Sequence, residues 1–142
     1  MSVEIRRAVG RAELDALLDL RHRVFCVEQG VPKHEEVDGR DDDAVHLVAV
    51  RDGRVLGTCR LVFVDRTVQL SRLAVEPQAR REGIATALLR EADREAQGAR
   101  ARRIVLHAQT YARELYAADG YEERGRTFVE AGIEHVAMEK RL

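Results

Sequence analysis

Two arginines and a glycine occur together at a point in the sequence where they could bind phosphate. Arg80 and Arg81 follow a β-rich segment, and Gly83 directly precedes a segment of helical periodicity rich in Ala and Leu. A glycine at the start of a helix lets an anion approach backbone N–H groups that have no partner within the helix. Arginine adds charge-assisted hydrogen bonds to phosphate. The spacing indicates a pyrophosphate site, and the alternative is an ordinary helix start beside two surface arginines.

Acidic residues are concentrated between positions 28 and 43, where they could attract a cation. Only Lys33 and Arg40 oppose them in charge. The acidic residues are Glu28, Glu35, Glu36, Asp38, Asp41, Asp42 and Asp43. The stretch lacks the second histidine of a zinc-protease helix and the alternating oxygen ligands of a calcium loop, so we predict no metal site. Two interpretations stay open: a solvated acidic surface, and an acidic wall for a cationic substrate.

The two cysteines, Cys26 and Cys59, are predicted to be buried thiols. They are too few for a disulfide framework or for a zinc site built from sulfur alone. Neither has a histidine at the spacing of a cysteine-nucleophile motif, which disfavours an acyl-cysteine enzyme. The sequence also lacks the motifs of P-loop, dinucleotide-binding and serine-hydrolase proteins.

The secondary structure that must position these residues mixes hairpins with helical crossovers. Apolar residues at helical spacing from Leu14 predict an amphipathic helix that ends near Gly30, and Asp52-Gly53 between two β-rich runs predicts a hairpin. Further helices are predicted at 84–98 and 111–118, and strands at 5–9, 45–50, 55–64, 67–75, 104–106 and 133–138, with one more strand near the end left open. This order predicts an α/β (α+β) mixed sheet with helices on both faces.

Length and composition predict a single domain covering residues 1–142. The chain has 24 Lys and Arg against 25 Asp and Glu, and this balance disfavours a nucleic-acid partner. No apolar run reaches the roughly 20 residues that cross a bilayer, and the first residues lack the apolar stretch of a signal peptide. We therefore expect a cytoplasmic protein without membrane or nucleic-acid partners.

Several motifs together resemble one known family. Residues 80–85, Arg-Arg-Glu-Gly-Ile-Ala, match the pattern Q/R-x-x-G-x-G/A, which is the acetyl-CoA signature of the GCN5-related N-acetyltransferase (GNAT) family. Residues 111–121 look like that family's late helix, and residues 24–32 with 36–41 resemble its ElaA-like branch. The predicted element order is similar to the family's from residue 3 to residue 142. The resemblance implies a GNAT-type acyl-CoA N-acyltransferase fold, with a central, mostly antiparallel sheet and helices on both faces.

The resemblance implies an acetyl-CoA-dependent N-acetyltransferase that acts on a primary amine of a small molecule or peptide. The amine would attack directly, without a covalent acyl-enzyme. By the family pattern, N–H groups near Leu73 and Val75 hold the pantetheine arm and polarise the thioester carbonyl, and Tyr116 protonates the departing thiolate. The residues implied to contact acetyl-CoA are Leu73, Ala74, Val75, Arg80, Arg81, Gly83, Ile84, Ala85, Thr86 and Gln109.

Two positions depart from the family pattern. Gln69 stands where some members carry a glutamate base, and Gln109 stands where many carry an asparagine. The base is left open among Glu28, Glu36, Asp38, His46 and a water chain, with Glu36 and Asp38 predicted as catalytic residues that bind or deprotonate the amine.

The departure at Gln69 keeps a second hypothesis open, a catalytically silent acyl-CoA-binding regulatory module on the same scaffold. Tyr116 favours the enzyme, because a silent module needs no general acid. The acidic stretch, which by resemblance covers the acceptor side, predicts an acceptor that is cationic at neutral pH. The identity of the acceptor and the oligomeric state, with a homodimer as one option, stay open.

Overall fold

Short hydrophobic runs separated by turn residues form the strands of this protein, and runs with apolar residues every three or four positions form its helices. The computed structural model describes residues 2–142. Its strands are β1 (Glu4–Arg7), β2 (Val45–Arg51), β3 (Arg54–Val64), β4 (Thr67–Val75), β5 (Arg103–Gln109), β6 (Glu122–Glu130) and β7 (Ile133–Arg141). Its α-helices are α1 (Gly10–Arg21), α2 (Lys33–Glu36), α3 (Ile84–Gly98) and α4 (Arg113–Ala118), and a π-helical segment (His22–Glu28) follows α1.

The strands form one sheet in the order β1-β2-β3-β4-β5-β7-β6. Every neighbouring pair is antiparallel except β4 and β5. That parallel contact is short, because it consists of Thr67 opposite Arg103, Val68 opposite Ile104 and Gln69 opposite Val105. Beyond these pairs the two strands separate, and a cleft opens between them.

The helices pack on both faces of the sheet, as predicted from the sequence. Gly57 faces α3, because an added Cβ would lie 2.8 Å from Ile84 Cγ2. Its neighbour Thr58 faces the other side of the sheet and pairs with Ala74 of β4. On that side Ala74 and Leu20 of α1 belong to a separate buried cluster. Helix α4 joins the cluster on the α3 side through Tyr116. The predicted fold class is therefore confirmed.

Some elements differ from the sequence predictions. The α-helix that was predicted to reach Gly30 ends at Arg21 and continues as the π-helical segment, a change of hydrogen bonding that hydrophobic spacing does not reveal. Residues predicted as an acidic loop include α2. Strand β6 is almost entirely exposed, so it lacks the alternation that would have located it. Among residues 2–142, no helix is long and apolar enough to span a membrane.

Candidate active site

Strand β4 carries a bulge at the mouth of the cleft. Opposite Cys59 of β3 it places two residues, Arg72 and Leu73, because Ser71 pairs with Arg60 and Ala74 pairs with Thr58. Arg72 has φ 58°, in the left-handed region that non-glycine residues rarely adopt. A bulge changes the direction of backbone groups. Since β5 has already separated, the cleft edge of β4 beyond Gln69 pairs with no strand in the described part of the chain, which leaves room there for a ligand to bond the backbone.

The loop after β4 leads into the start of α3. The Arg80 guanidinium donates to the Val75 carbonyl at 3.1 Å and makes a two-bond ion pair with Glu28 at 2.7 and 2.8 Å. This pair lowers the pKa of the Glu28 carboxyl. Gly83 has φ 84°, and an added Cβ would meet nothing within 4 Å, so backbone conformation rather than space favours glycine there.

The N–H groups at the start of α3 are available to an anion. The first bond of the helix runs from the Ala87 N–H to the Gly83 carbonyl at 3.0 Å, so the preceding N–H groups have no intrahelical acceptor. With Arg80 and Arg81 beside them, these donors fit a pyrophosphate.

A buried ion pair ties α2 to the bulge. The Glu36 carboxylate is 4% exposed. It accepts hydrogen bonds from Arg21 at 2.6 Å and from Arg72 at 2.9 Å. Arg72 also donates to the Glu36 carbonyl at 3.0 Å. Arg21 itself is fully buried, so the Glu36 charge is compensated inside the protein.

A second set of ion pairs lies on the same side of the cleft as the bulge of β4. Arg60 holds Asp38 through two bonds of 2.7 Å and Asp41 through one of 3.1 Å. Asp41 also accepts from Arg21 at 2.8 Å. The hydrogen bonds from Arg60 hold the pKa of Asp38 well below its usual range. We call these side chains the arginine network; its members are Arg21, Arg60, Arg72, Glu36, Asp38 and Asp41.

The arginine network changes the interpretation of the acidic stretch. Three arginines balance three carboxylates. Glu36 and Asp38 are therefore not free to supply negative charge to an acidic wall for a cationic substrate, because arginines compensate both. Their predicted catalytic roles stay a prediction, which the pairing weakens because a carboxylate held by arginines is a poorer base.

The other predicted base candidates are also engaged. Glu28 is paired with Arg80. His46 places Nε2 2.9 Å from the Asp41 carbonyl oxygen. Glu28 and His46 are not among the residues that line the cleft.

Both oxygens of Asp38 accept hydrogen bonds from Arg60. The side-chain bonds to Glu36, in contrast, all end on Oε2. Oε1 of Glu36 is therefore the one carboxylate oxygen of Glu36 and Asp38 without a hydrogen-bond partner within residues 2–142.

Tyr116 of α4 lines the cleft. Its ring is 8% exposed and packs edge-on against Tyr121, with centroids 5.9 Å apart. Burial raises the pKa of the Tyr116 phenol well above its usual range. The hydroxyl therefore keeps its proton at neutral pH and can serve as a proton donor.

The opposite wall of the cleft is formed by β5 and β7. Gln109, at the end of β5, donates from its amide nitrogen to the Gln29 side-chain oxygen at 2.8 Å, while its own side-chain oxygen is buried without a partner. Gln29 in turn donates to the Tyr111 hydroxyl at 3.3 Å. These bonds link the end of the π-helical segment to β5 and enclose a cleft of about 850 Å³.

His135 is a cleft residue that the sequence analysis missed. It lies on β7 in register with Gln109 and is 8% exposed. Its Nδ1 is 2.7 Å from the Ile133 carbonyl oxygen, and its ring stacks on Phe128 with centroids 5.9 Å apart. A single histidine in a final strand belongs to no spacing motif, so only its contacts reveal it.

The predicted acetyl-CoA contacts divide into two groups. Six of them line the cleft: Leu73, Ala74, Val75, Arg80, Ala85 and Gln109. Arg81 and Gly83 are exposed where α3 begins, and Thr86 is partly buried in its first turn. The Ile84 side chain is 3% exposed and belongs to the hydrophobic core, so only its backbone can face a ligand.

Comparison with known proteins identifies sequence relatives. The family model described as an acetyltransferase (GNAT) domain matches residues 13–142. The uncharacterized N-acetyltransferase YjcF of Bacillus subtilis is 30% identical over 122 residues, which are 85% of this chain and 87% of that protein. The match thus covers most of both chains.

Solved structures show the same architecture. An acyl-CoA N-acyltransferase from Pseudomonas aeruginosa is 31% identical, with a TM-score of 0.88 over 98% of this chain and 99% of that chain. ElaA of Escherichia coli is 24% identical, with a TM-score of 0.87 over 97% of this chain and 99% of that chain. At that identity, the likeness to ElaA shows the fold.

Proposed function

The chain belongs to the GNAT acetyltransferase family, and from this premise we propose that it transfers the acetyl group of acetyl-CoA to a primary amine of a small molecule or peptide by direct attack. The family, the enzyme class and acetyl-CoA as acyl donor, all predicted from the sequence, are confirmed. The nature of the acceptor and the direct attack are the proposal.

The observation that carries the proposal is the arrangement of the cleft. The free edge of β4 and the bulge at Arg72 and Leu73 lie on one side of it, and Tyr116 lines the same cavity. When bound, acetyl-CoA supplies a thioester whose C–S bond breaks as the acceptor nitrogen forms a C–N bond. The Leu73 N–H is the donor we assign to the carbonyl oxygen of that thioester, because fixed donors stabilise charge that develops there.

Tyr116 is the group we assign to the leaving thiolate. Burial raises the pKa of the Tyr116 phenol, which by itself makes it a weaker acid toward a thiolate, whose ordinary pKa of about 8.5 is the lower of the two. The assignment therefore requires that the same burial also desolvates the departing thiolate and raises its basicity, and a positioned acid then speeds this step. Arg80, Arg81 and the first N–H groups of α3 would hold the pyrophosphate, with the Glu28 carboxylate giving way to the ligand's phosphates at Arg80.

The cysteines support direct attack over an acyl-cysteine route. Cys59 is 1% exposed, and burial raises its pKa to about 12. Burial also raises the pKa of Cys26. The thiolate is the nucleophilic form of cysteine, so neither side chain supplies a nucleophile at neutral pH.

The test is a thiol-release assay with acetyl-CoA and a panel of polyamines, aminoglycosides, amino acids and peptide N-termini. We expect turnover with at least one primary amine, formation of its N-acetyl product by mass spectrometry, and full activity in a Cys26→Ala/Cys59→Ala variant. An acetylated cysteine on the pathway would contradict direct attack. Tight acetyl-CoA binding without turnover on the whole panel would favour the silent module, which Gln69 alone supports.

A further inference from the structure

His135 is a buried polar residue of the cleft to which the proposed mechanism gives no role. It is buried on β7, beside Gln109 and in register with it. Both residues line the cleft that also holds Tyr116. One nitrogen of its ring makes no hydrogen bond within residues 2–142, and because the ring lines the cleft this nitrogen is open to a ligand or to water.

The contacts of His135 determine which ring nitrogen is free. Nδ1 lies 2.7 Å from the Ile133 carbonyl oxygen. A carbonyl oxygen can only accept, so Nδ1 carries the hydrogen of this bond. In a neutral imidazole with that hydrogen, Nε2 is the accepting atom. No hydrogen bond within residues 2–142 engages Nε2, and Phe128 packs on the ring and fixes its plane.

The charged groups around His135 are engaged elsewhere. Across Phe128, His107 of β5 and Glu130 of β6 pair with each other at 3.1 Å. Glu134, next in sequence, accepts from the Thr110 hydroxyl at 3.0 Å. Tyr111, in the turn before α4, accepts from Gln29. No ion pair within residues 2–142 involves His135 itself.

We propose that His135 Nε2 takes the proton of the acceptor's ammonium group. This inference rests on the proposed function. The ammonium gives one proton to Nε2, and its freed electron pair forms the C–N bond to the acetyl carbon. The C–S bond breaks, and its electrons take a proton from Tyr116. The nitrogen then returns a second proton to the tyrosine oxygen and keeps the third as the amide hydrogen. His135 releases its proton to water, so the net products are the amide, the free thiol of CoA and one proton.

The kinetic test compares His135→Gln and His135→Asn with His107→Gln. His107 is exposed on the same wall and has no role in the mechanism, and the Asn amide can still donate to the Ile133 carbonyl. For the best acceptor, we expect both His135 variants to lose about 100-fold or more in kcat, with little change in the KM of acetyl-CoA. The loss should shrink as pH approaches the pKa of the acceptor amine, because a free amine needs no base.

A kcat close to that of the wild type, or an equal loss at every pH, would overturn the assignment. If Glu36→Gln or Asp38→Asn, rather than the His135 variants, showed the loss of kcat that shrinks with rising pH, the assignment would also be overturned. The affected carboxylate would then be identified as the base. The tautomer is tested without turnover, by long-range proton–nitrogen NMR of the folded protein. A neutral His135 that carries its hydrogen on Nδ1 supports the proposal, and one that carries it on Nε2 contradicts it, whatever the outcome of the acceptor panel.

Discussion

The two walls of the cleft differ in what holds them in place. The β4 wall rests on the arginine network, in which the fully buried Arg21 bonds carboxylates on α2 and in the loop after it. The β5–β7 wall rests on a backbone ladder that runs without interruption from Arg103 opposite Arg141 to Gln109 opposite His135, with ring packing added beside it. The shape of the first wall therefore depends on charge, and that of the second on backbone pairing.

The difference also separates supporting groups from reactive ones. In the β4 wall every charged side chain of the arginine network is paired with an opposite charge. In the β5–β7 wall a side-chain oxygen of Gln109 and Nε2 of His135 lack partners. Groups that are already paired hold a geometry, whereas unpaired groups inside a cleft are free to bind a ligand or move a proton. This comparison can be tested by removing one group at a time from each side.

The largest effect is expected for Tyr116→Phe. The change removes one hydroxyl, and general acid catalysis contributes roughly 100- to 10,000-fold, so kcat should fall by that factor while acetyl-CoA affinity stays nearly constant. Steady-state kinetics and calorimetric titration measure the two quantities. Tyr111→Phe is the matched control, because Tyr111 is 76% exposed. Equal activity of both variants would assign Tyr116 a packing role.

Breaking the arginine network of the β4 wall should mainly lower the free energy of unfolding. Glu36→Leu leaves Arg21 and Arg72 without their shared carboxylate, and loss of one partner of a buried pair typically costs about 3–5 kcal/mol. Urea unfolding measures the change in the free energy of unfolding. Glu35→Leu removes the neighbouring exposed carboxylate and should change it by less than about 0.5 kcal/mol. Similar values for the two variants would show that the network does not support the wall.

Acid should weaken the β4 wall through Asp38. Hydrogen bonds from Arg60 hold the pKa of Asp38 in the folded protein well below the value of about 3.9 in an unfolded chain. The stabilisation is therefore complete above about pH 4 and is lost as pH falls further, toward the folded pKa. Urea midpoints at pH 7, 4 and 3 should show a smaller acid loss in Asp38→Asn than in the wild type. Asp42→Asn, at an exposed neighbour, should behave like the wild type.

The smallest effect is expected in the loop after β4, at the ion pair of Arg80 with Glu28. Glu28 occupies Arg80 through an exposed ion pair, and such pairs are worth about 0–1 kcal/mol. Glu28→Gln should therefore raise acetyl-CoA affinity by at most about fivefold, as measured by calorimetry at low salt. Glu91→Gln, which removes a carboxylate paired with Arg94 on α3, should leave the affinity unchanged. Weaker binding by Glu28→Gln would mean that Glu28 orients Arg80 for the ligand.

Local signals explain which parts of this structure could be predicted. Helix α3 was located at its observed bounds because Gly83 and Gly98 mark its ends. The hairpin of β2 and β3 was located by Asp52-Gly53. Arg80, Arg81 and Gly83 could be singled out as a predicted pyrophosphate site because they lie within a few consecutive residues.

Contacts between distant residues explain what could not be predicted. Arg72 and Glu36 are 36 positions apart, and His135 approaches Gln109 only because β7 pairs with β5. Acidic residues in a sequence therefore show where charge is placed along the chain, but not whether arginines from other elements compensate it. A sequence likewise shows where a histidine lies along the chain, but not which of its ring nitrogens is free, because that depends on the backbone group to which the other nitrogen bonds.

The unpaired edge of β4 places a strand edge in the middle of a sheet. Residues 70–75 follow the last pair with β5, and at about 3.3 Å per residue they form an edge roughly 20 Å long. Edges of that length at the rim of a sheet invite strands from other molecules and lead to aggregation. Here β5 diverges on one side, and α2 borders the other through the bonds of Glu36 with Arg72, so a second chain must enter the cleft to reach the edge. The protein thereby keeps backbone donors free for a small ligand without exposing them to self-association.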